Sequence, residues 1–310
     1  MSRFEASTEQ KEQYFNRGYT SFPGALPPEL LERWQQLAQR LESEAMEAHR
    51  NDVLHQTACV VNDPVGDRLM RHNDIIEKDP DAVLDLLACP AMIAIARDLC
   101  GQNAVPMQVD IVYKHQHPHP VIIWHQGAQH PRNYPYLNVG VYLDDAGPGD
   151  GCLRYIDNTQ HEQQDIQGLS EKHGWDIPGV VELPAKAGDI LVQDMMILHG
   201  SQPKRTPGVR RTIYIEIRPV EGILESETQS KEWAEFRRRL MGLVLRRATP
   251  SDWPEEWISE MPTDLGSDEE EIKAIMEIRQ PPIPAYYSIK RVITENYPVP
   301  ADMQNGTWDY

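Results

Sequence analysis

Cysteine is scarce in this chain, and its thiols form no recognisable pair. The 310 residues include only Cys59, Cys89, Cys100 and Cys152. No C-x-x-C spacing occurs, which excludes a zinc ribbon and a thioredoxin-type site. A chain of this length buries a core large enough to fold without disulfides. We therefore expect reduced, mostly buried thiols in a cytoplasmic protein.

Long apolar runs are also missing. No stretch approaches the roughly eighteen consecutive apolar residues of a membrane span, so we expect no membrane partner. The opening segment MSRFEASTEQKEQYF has none of the apolar character of a secretory signal. Both absences favour a globular protein located in the cytoplasm.

Basic residues are few relative to acidic ones. Lys and Arg number 30 against 48 Asp and Glu, which gives a formal net charge of −18. Nucleic acid is excluded as a partner, because its backbone demands a basic surface. A carrier protein is also an unfavoured partner, because docking to its acidic surface usually needs a basic patch. A local pocket can still bind a small anion, so we expect a free small-molecule substrate.

The apolar pattern divides the chain into three regions that we expect to form one domain. Residues 1–104 are predicted to be mostly helical and to pack on a barrel, with an apolar helix face beginning after Pro27-Pro28. Residues 105–220 are predicted to form the β core. Residues 221–310 are predicted to form an acidic, partly helical extension. The tail from Gln280 is expected to run extended over the surface.

The middle region is predicted to be built from short strands. Met107, Val109, Ile111 and Tyr113 alternate with more polar residues, as in a strand with two unlike faces. Gly- and Pro-rich turns separate further strand candidates, and no helical pattern clearly intervenes between them; the candidates span 121–125, 137–143, 180–183, 189–193 and 211–217. The fold class is therefore mainly β with flanking helices, and the core is an antiparallel barrel or jelly roll.

Histidines are the candidate metal ligands. Of the eleven in the chain, His115, His117 and His119 alternate, and on one strand face they would resemble a zinc site. The intervening prolines favour a polar loop instead.

His125 and His199 each end an apolar run, and a jelly roll can bring such strand ends together. Two neutral imidazoles there could bind a divalent metal, although most single histidines at strand ends are structural.

The order of several segments resembles the phytanoyl-CoA dioxygenase-like family of iron(II)/2-oxoglutarate oxygenases. The matching segments are Met107-Gln108-Val109 with Tyr113-Lys114, Trp124-His125-Gln126, Leu137 to Asp145, Gly151 to Arg154, Ala187-Gly188-Asp189, and His199-Gly200-Ser201 with Arg210-Arg211. Each segment alone is weakly specific, and their order over about a hundred residues carries the resemblance.

The resemblance implies a cupin-like double-stranded β-helix that binds Fe(II) and 2-oxoglutarate and uses O2 as cosubstrate. His125 and His199 match the two histidine ligands of the iron. Arg210 matches the arginine that pairs with the distal carboxylate of 2-oxoglutarate, and Ser201 and Lys114 are further candidates for cosubstrate contact. Arg211 is expected on the opposite face of its strand.

Gly127 departs from the family pattern, which places a carboxylate ligand there. Asp144 and Asp145 match family positions that are not ligands. The same His-x-Gly replacement is found in the iron/2-oxoglutarate halogenases, where chloride takes the vacant position. Glycine leaves the most room for an anion. The resemblance therefore implies a halogenase, in which a substrate radical takes chlorine rather than hydroxyl.

Two alternatives to the halogenase stay open. In one, water fills the vacant position and the enzyme is a hydroxylase. In the other, the metal site is inactive and the protein only binds a ligand.

The suggested substrate is a nucleotide, because freestanding His-x-Gly enzymes of this kind include halogenases of a deoxyadenosine monophosphate. A free amino acid, or one on a carrier protein, is the alternative. Phosphate contacts could come from Lys204, Arg205, Arg132 or the loop of His115, His117 and His119. Base stacking could involve Tyr134, Tyr136 or Trp175.

Overall fold

Two antiparallel sheets form the centre of the protein. The computed structural model describes residues 3–53, 57–127, 130–227, 229–249, 252–262, 264–278 and 292–304. Within these ranges the strands are β1 (Tyr19–Phe22), β2 (Ala58–Asp63), β3 (Gly66–His72), β4 (Ala104–His115), β5 (Ile122–His125), β6 (Leu137–Tyr142), β7 (Leu153–Ile156), β8 (Val180–Leu183), β9 (Ile190–Asp194), β10 (His199–Ser201) and β11 (Val209–Pro219).

The strand order confirms the predicted fold class. One sheet has the order β1-β9-β6-β11-β4-β3-β2, and the other has the order β5-β10-β7-β8. Neighbours in the lists are mostly distant in sequence, as in a jelly roll rather than a meander. The two sheets meet through their inner faces, where Tyr19 of β1 stacks on Tyr155 of β7 with ring centroids 4.5 Å apart.

Helices pack on the outside of the sheets, mostly on the large one, whereas α5 packs on β5 of the small sheet. They are α1 (Thr8–Arg17), α2 (Pro28–Arg50), α3 (Pro80–Leu87), α4 (Pro90–Ile95), α5 (Ile166–His173), α6 (Val220–Ser226), α7 (Lys231–Arg247), α8 (Glu255–Ile258) and α9 (Asp268–Glu277). The predicted proline start of α2 is present, and Trp34 and Leu41 on its apolar face are fully buried.

Alternation along β11 and its neighbours separates an apolar face from a polar one. Ile213 lies opposite Ile111 of β4 and Val141 of β6, and all three join the core beneath the helices. The preceding residue, Thr212, lies opposite Tyr142 on the inner face. Polar side chains on the inner face therefore line the space between the two sheets.

The N-terminal region contains three strands that the sequence did not predict. Besides four helices it contains β1, β2 and β3, which add to both edges of the large sheet. Strands β7 and β10 were also not predicted. All five are short or mixed in polarity, so no clear period of two is visible in them.

The C-terminal tail is partly described. Residues 279–291 lie outside the described residues, as do 305–310. Tyr297 is buried against the small sheet and its hydroxyl accepts a hydrogen bond from the Trp124 main chain at 3.1 Å, so this part of the tail does not simply run over the surface. No helix in the described ranges is long and apolar enough to span a bilayer.

Candidate active site

The two sequence-predicted histidines lie side by side. His125 ends β5, and His199 begins β10 directly opposite it in the antiparallel register. Their ring centroids are 4.1 Å apart. The Nδ1 atoms lie 2.9 Å from the carbonyl oxygens of Ile123 and Ile197, respectively. Each Nδ1 therefore carries the proton and donates it, which leaves the Nε2 lone pairs to serve as ligands.

Burial keeps both imidazoles neutral. It is the largest cause that lowers the pKa of His125, with a smaller opposing effect from the Ile123 carbonyl. Burial also lowers the pKa of His199 well below its usual value, and the neighbouring His125 adds to this. Neutral imidazole is the form that binds a metal ion.

Sequence reasoning missed an amide next to this pair. The Gln193 Nε2 atom on β9 lies 3.0 Å from the His199 Nε2 atom. The hydroxyl of Tyr155 donates to the Gln193 Oε1 atom at 2.6 Å. Neither residue carries a sequence signal for this role, because the contact depends on how the two sheets stack.

No carboxylate completes the histidine pair within the described residues, which hold no group of three His, Cys, Asp or Glu side chains able to bind a metal. The two acidic residues after β6 have other partners. Asp144 accepts two hydrogen bonds from the Arg211 side chain, each of 2.8 Å, and Asp145 pairs with Lys186 at 2.7 Å.

A close main-chain contact, which the sequence could not reveal, explains the glycine at position 127. Its N–H donates to the Met195 carbonyl at 2.7 Å, and a Cβ at position 127 would lie 2.3 Å from that same oxygen. The missing side chain thus points at the main chain of the 194–197 turn. Room for an anion was the expected reason for the glycine, and the close approach to Met195 is a sufficient reason on its own.

A second cluster gathers the three predicted cosubstrate residues around Gly151. Its carbonyl accepts hydrogen bonds from Arg210 Nη1 at 2.8 Å and from Ser201 Oγ at 2.7 Å. Lys114 Nζ donates to the Ser201 carbonyl at 3.2 Å. Gly151 has a φ of +81°, and a Cβ there would meet the Lys114 side chain at 2.7 Å, so both its conformation and its contact require glycine.

Arg210 and Lys114 are buried cations without a carboxylate partner among the described residues. Each is 2% exposed, and the Arg210 Nε atom has no hydrogen-bond partner there. Burial lowers the pKa of Lys114 well below its usual value, and the charge of Arg210 lowers it further. Uncompensated buried charge is costly, so this cluster is suited to an incoming anion.

The histidine loop 115–119 is used structurally. His119 Nδ1 lies 3.0 Å from Asp63 Oδ2 with both side chains buried, and His115 Nε2 contacts the Leu69 carbonyl at 2.9 Å. Burial raises the pKa of Asp63 to about 6 and lowers that of His119 to about 3. The arrangement agrees with the loop interpretation rather than with a three-histidine metal face.

The candidate substrate contacts separate into two groups. Lys204 bonds the turn at Thr206, Arg205 pairs with Asp302, and Trp175 is buried in the core. Two other candidates, Arg132 and Tyr134, line a cavity of about 260 Å³. The walls of this cavity are formed by Tyr14, Phe15, His130, Arg132, Asn133, Tyr134, Pro135, Gln160, His161 and Asp194. Tyr136 lies behind this wall and stacks on His130 with centroids 4.4 Å apart.

The wall of this cavity includes Asp194, the last residue of β9. Asp194 follows Gln193, and its Oδ1 atom lies 3.1 Å from His130 Nε2. The Tyr14 hydroxyl and the Gln160 Oε1 atom are buried and have no partner among the described residues. Unpartnered polar atoms in such a cavity favour a polar ligand.

A family model for phytanoyl-CoA dioxygenase matches residues 14–212. The chain belongs to the phytanoyl-CoA dioxygenase family. Members are non-haem iron, 2-oxoglutarate-dependent oxygenases, and the matched segment spans the histidine pair and the cation cluster. No curated protein sequence matches the chain significantly.

Several solved structures share the fold of this chain. HygX from Streptomyces hygroscopicus, with nickel and 2-oxoglutarate bound, is 18% identical with a TM-score of 0.53 over 70% of this chain and 88% of its own. EctD from S. alaskensis with bound Fe is 19% identical, with a TM-score of 0.56 over 70% of this chain and 78% of its own. AviO1 from Streptomyces viridochromogenes Tue57 is 23% identical, with a TM-score of 0.53 over 70% of this chain and 96% of its own.

The residues present fit the two groups that the phytanoyl-CoA dioxygenase family implies. Paired neutral imidazoles with their Nδ1 atoms fixed by carbonyls are suitable donors for Fe(II), and a metal ion bound to His199 would displace the Gln193 amide from the Nε2 atom. The uncompensated cations Arg210 and Lys114 are suitable partners for a carboxylate of 2-oxoglutarate. The donor set differs from the two-histidine, one-carboxylate set in lacking an anionic ligand among the described residues.

Proposed function

We propose that this protein is an iron(II)/2-oxoglutarate-dependent halogenase that chlorinates an unactivated C–H bond of a free small molecule. One observation carries the proposal. The buried imidazoles of His125 and His199 lie side by side, yet no carboxylate reaches them from the described residues.

In this proposal the chain binds both cofactors with residues already in place. His125 and His199 hold the iron through their Nε2 atoms. Arg210, supported by Lys114 and Ser201, holds the distal carboxylate of 2-oxoglutarate. When bound, iron and 2-oxoglutarate supply the O2 chemistry that removes a hydrogen atom from the substrate and releases succinate and carbon dioxide.

Charge favours chloride as the remaining ligand. Two neutral imidazoles contribute no negative charge, whereas the usual third ligand contributes one. A chloride ion restores that charge in a buried site, where an uncompensated cation is costly. Water would leave the charge unbalanced.

We further propose a nucleotide as substrate, with its sugar presented to the iron. The cavity beside Asp194 supports this proposal, because it combines a guanidinium, Arg132, with an aromatic ring, Tyr134. A guanidinium binds phosphate, and an aromatic ring stacks on a base. The acidic surface of the whole chain is a further argument for a free substrate over one carried on an acidic protein.

Hydroxylation is the second candidate function. The contact between Gly127 and the Met195 carbonyl favours it, because that contact accounts for the glycine without any halide. Water would then take the open position, and the substrate would gain oxygen.

Product mass separates these functions. The iron-loaded protein is incubated with 2-oxoglutarate, O2 and a panel of nucleotides and amino acids, first in chloride and then in bromide. The halogenase proposal predicts a product whose added mass follows the halide, and comparison of a nucleotide with its nucleoside tests the phosphate contact. A product that gains only oxygen in both salts would establish the hydroxylase, and no succinate above background with any compound would favour a binding protein.

A further inference from the structure

Strand β5, which ends at His125, is an edge strand of the small sheet. Among the described strands it pairs with β10 alone, and a register shift between His199 and Ser201 interrupts that pairing. The outer edge of such a strand presents main-chain N–H and C=O groups that its own sheet does not bond. The position of the His125 imidazole therefore depends on what bonds the outer edge of β5.

The C-terminal segment 292–304 supplies such a bond. The hydroxyl of Tyr297 accepts a hydrogen bond at 3.1 Å from the main-chain N–H of Trp124, the residue before His125. Both partners are buried, so water does not replace this acceptor. Tyr297 lies far beyond residues 14–212, which the family model matches. The bond therefore ties the end of the chain to a strand inside the matched segment.

Trp175 fixes Tyr297 against the small sheet. The Trp175 ring lies 5.0 Å from the Tyr297 ring at an interplanar angle of 61°, and 5.4 Å from the Trp124 ring. Its Nε1 atom donates to the carbonyl of Pro298, the residue after Tyr297, at 2.9 Å. Ring packing and this main-chain bond together hold the Tyr297 hydroxyl in place, as a group that positions a ligand must be held.

The two tryptophan rings also lie on the second histidine strand. A Cβ at Gly200, which follows His199 in β10, would lie 3.0 Å from the Trp175 ring and 3.3 Å from the Trp124 ring. Because side chains alternate along a strand, this contact is on the face opposite to the one that His199 presents. Through Trp175, the C-terminal segment therefore supports both strands that carry the histidines.

We infer that Tyr297 is a positioning residue of the metal site, whose hydroxyl fixes β5 and thereby the His125 imidazole. This inference rests on His125 as an iron ligand, which the proposed halogenase and the hydroxylase both require. Without the hydroxyl, the buried Trp124 N–H loses its acceptor and the end of β5 is bonded on one side only. Metal binding then has to order the strand, which lowers the affinity for the metal.

Calorimetric titration of cobalt(II) into the metal-free protein, with saturating 2-oxoglutarate, tests the inference without catalysis. Tyr297→Phe removes the hydroxyl and keeps the ring against Trp175. We expect it to bind cobalt about 3- to 10-fold more weakly than the wild type, which corresponds to the loss of one hydrogen bond. Thermal melting identifies a temperature at which every variant is folded, and the titrations are made there.

Tyr113→Phe is the matched control. Tyr113 is also buried, and its hydroxyl donates to the Ala38 carbonyl of α2 at 2.9 Å. Loss of this hydroxyl should lower the melting temperature to a similar extent as Tyr297→Phe. It should leave the cobalt affinity unchanged, because neither histidine ligand lies on β4.

Hydrogen exchange in the wild type is a second test that needs no variant. Coupling between two sites is reciprocal, so a segment that favours metal binding must itself be stabilised by the metal. We expect amide exchange over 292–304 to slow when cobalt and 2-oxoglutarate bind. Peptides of α9, which packs on α7, should change less.

The outcomes distinguish this inference from the proposed function. Unchanged cobalt affinity in Tyr297→Phe, or an equal loss in Tyr113→Phe, would overturn the role of Tyr297 alone. If Tyr297→Phe does not fold, the exchange measurement decides, and equal changes over 292–304 and α9 would overturn that role. Absence of cobalt binding in the wild type, or binding that survives unchanged in His125→Ala, would overturn the metal site and the proposed function with it.

Discussion

We predict that Lys114 makes 2-oxoglutarate binding depend on pH. Burial and the neighbouring Arg210 hold its pKa well below the usual value, so the free protein loses this charge at a lower pH than an exposed lysine would. A bound carboxylate favours the ammonium form, so binding takes up a proton between the free and bound pKa values. We predict that affinity falls as pH rises across that range, by at most about tenfold per pH unit.

Calorimetric titration of 2-oxoglutarate into the metal-loaded protein at several pH values measures this dependence. Lys114→Met is the control: it should bind more weakly, and its affinity should no longer fall with pH over the same range. An unchanged pH slope in Lys114→Met would assign the proton uptake to another group.

Gly127 allows a test in which two variants differ only in charge. Both Gly127→Ala and Gly127→Asp add a Cβ against the Met195 carbonyl, so we predict a similar loss of stability, about 1–3 kcal/mol. Only aspartate adds a carboxylate, and it should abolish chlorination while alanine retains part of it. Thermal melts and product mass measure the two effects. Equal chlorination by both variants would show that the halide binds elsewhere.

The sequence identified His125, His199 and Arg210 because their order resembles a family, and the structure brings the histidines together. It could not identify Gln193, because a glutamine in an apolar strand carries no signal. Its position depends on β9 lying across from Tyr155. The reason for Gly127 was also hidden, since the Met195 carbonyl is 68 residues away in sequence and touches it only in the fold.

Strand β11 places two adjacent arginines on opposite faces. Arg210 points into the space between the sheets, whereas Arg211 forms a two-fold hydrogen-bonded ion pair with Asp144 next to α2. The alternation predicted from the sequence is therefore present. Substituting Arg210 and Arg211 one at a time therefore gives a matched pair of variants within one strand.

We predict opposite effects from removing the two arginines. Arg210→Ala should weaken 2-oxoglutarate binding by about 2–5 kcal/mol, because it leaves a buried carboxylate unpaired. Arg211→Ala should leave that binding nearly unchanged and lower the free energy of unfolding by about 1–3 kcal/mol. Calorimetry and denaturant unfolding measure these changes. Loss of cosubstrate binding in Arg211→Ala alone would reverse the assignment.

Elements with a clear apolar run or alternation were predictable, and elements without one were not. Strands β4 and β11 have 12 and 11 residues with clear alternation, and α2 shows a full apolar face. Strand β10 has three residues, His-Gly-Ser, and exists because β5 and β7 bind it on both sides. Pairing of this kind is a tertiary effect, beyond the reach of local patterns.

The whole molecule combines a strongly negative net charge with a local cluster of buried cations. Its net charge is −18, yet Arg210 and Lys114 are buried without a carboxylate partner in the described ranges. The jelly roll permits this, because the inner faces of its two sheets enclose a space that helices on the outside do not fill. Fold class and candidate site were predictable together, since both depend on the same ordered segments; the cytoplasmic location and the three-region division remain predictions.

X-ray absorption at the iron edge tests the central claim most directly. The protein is loaded anaerobically with Fe(II) and 2-oxoglutarate in bromide, whose heavy scattering distinguishes it from nitrogen and oxygen. We predict a bromine scatterer bound to the iron together with imidazole ligands. An iron surrounded only by nitrogen and oxygen in bromide, with both imidazoles bound, would contradict the account.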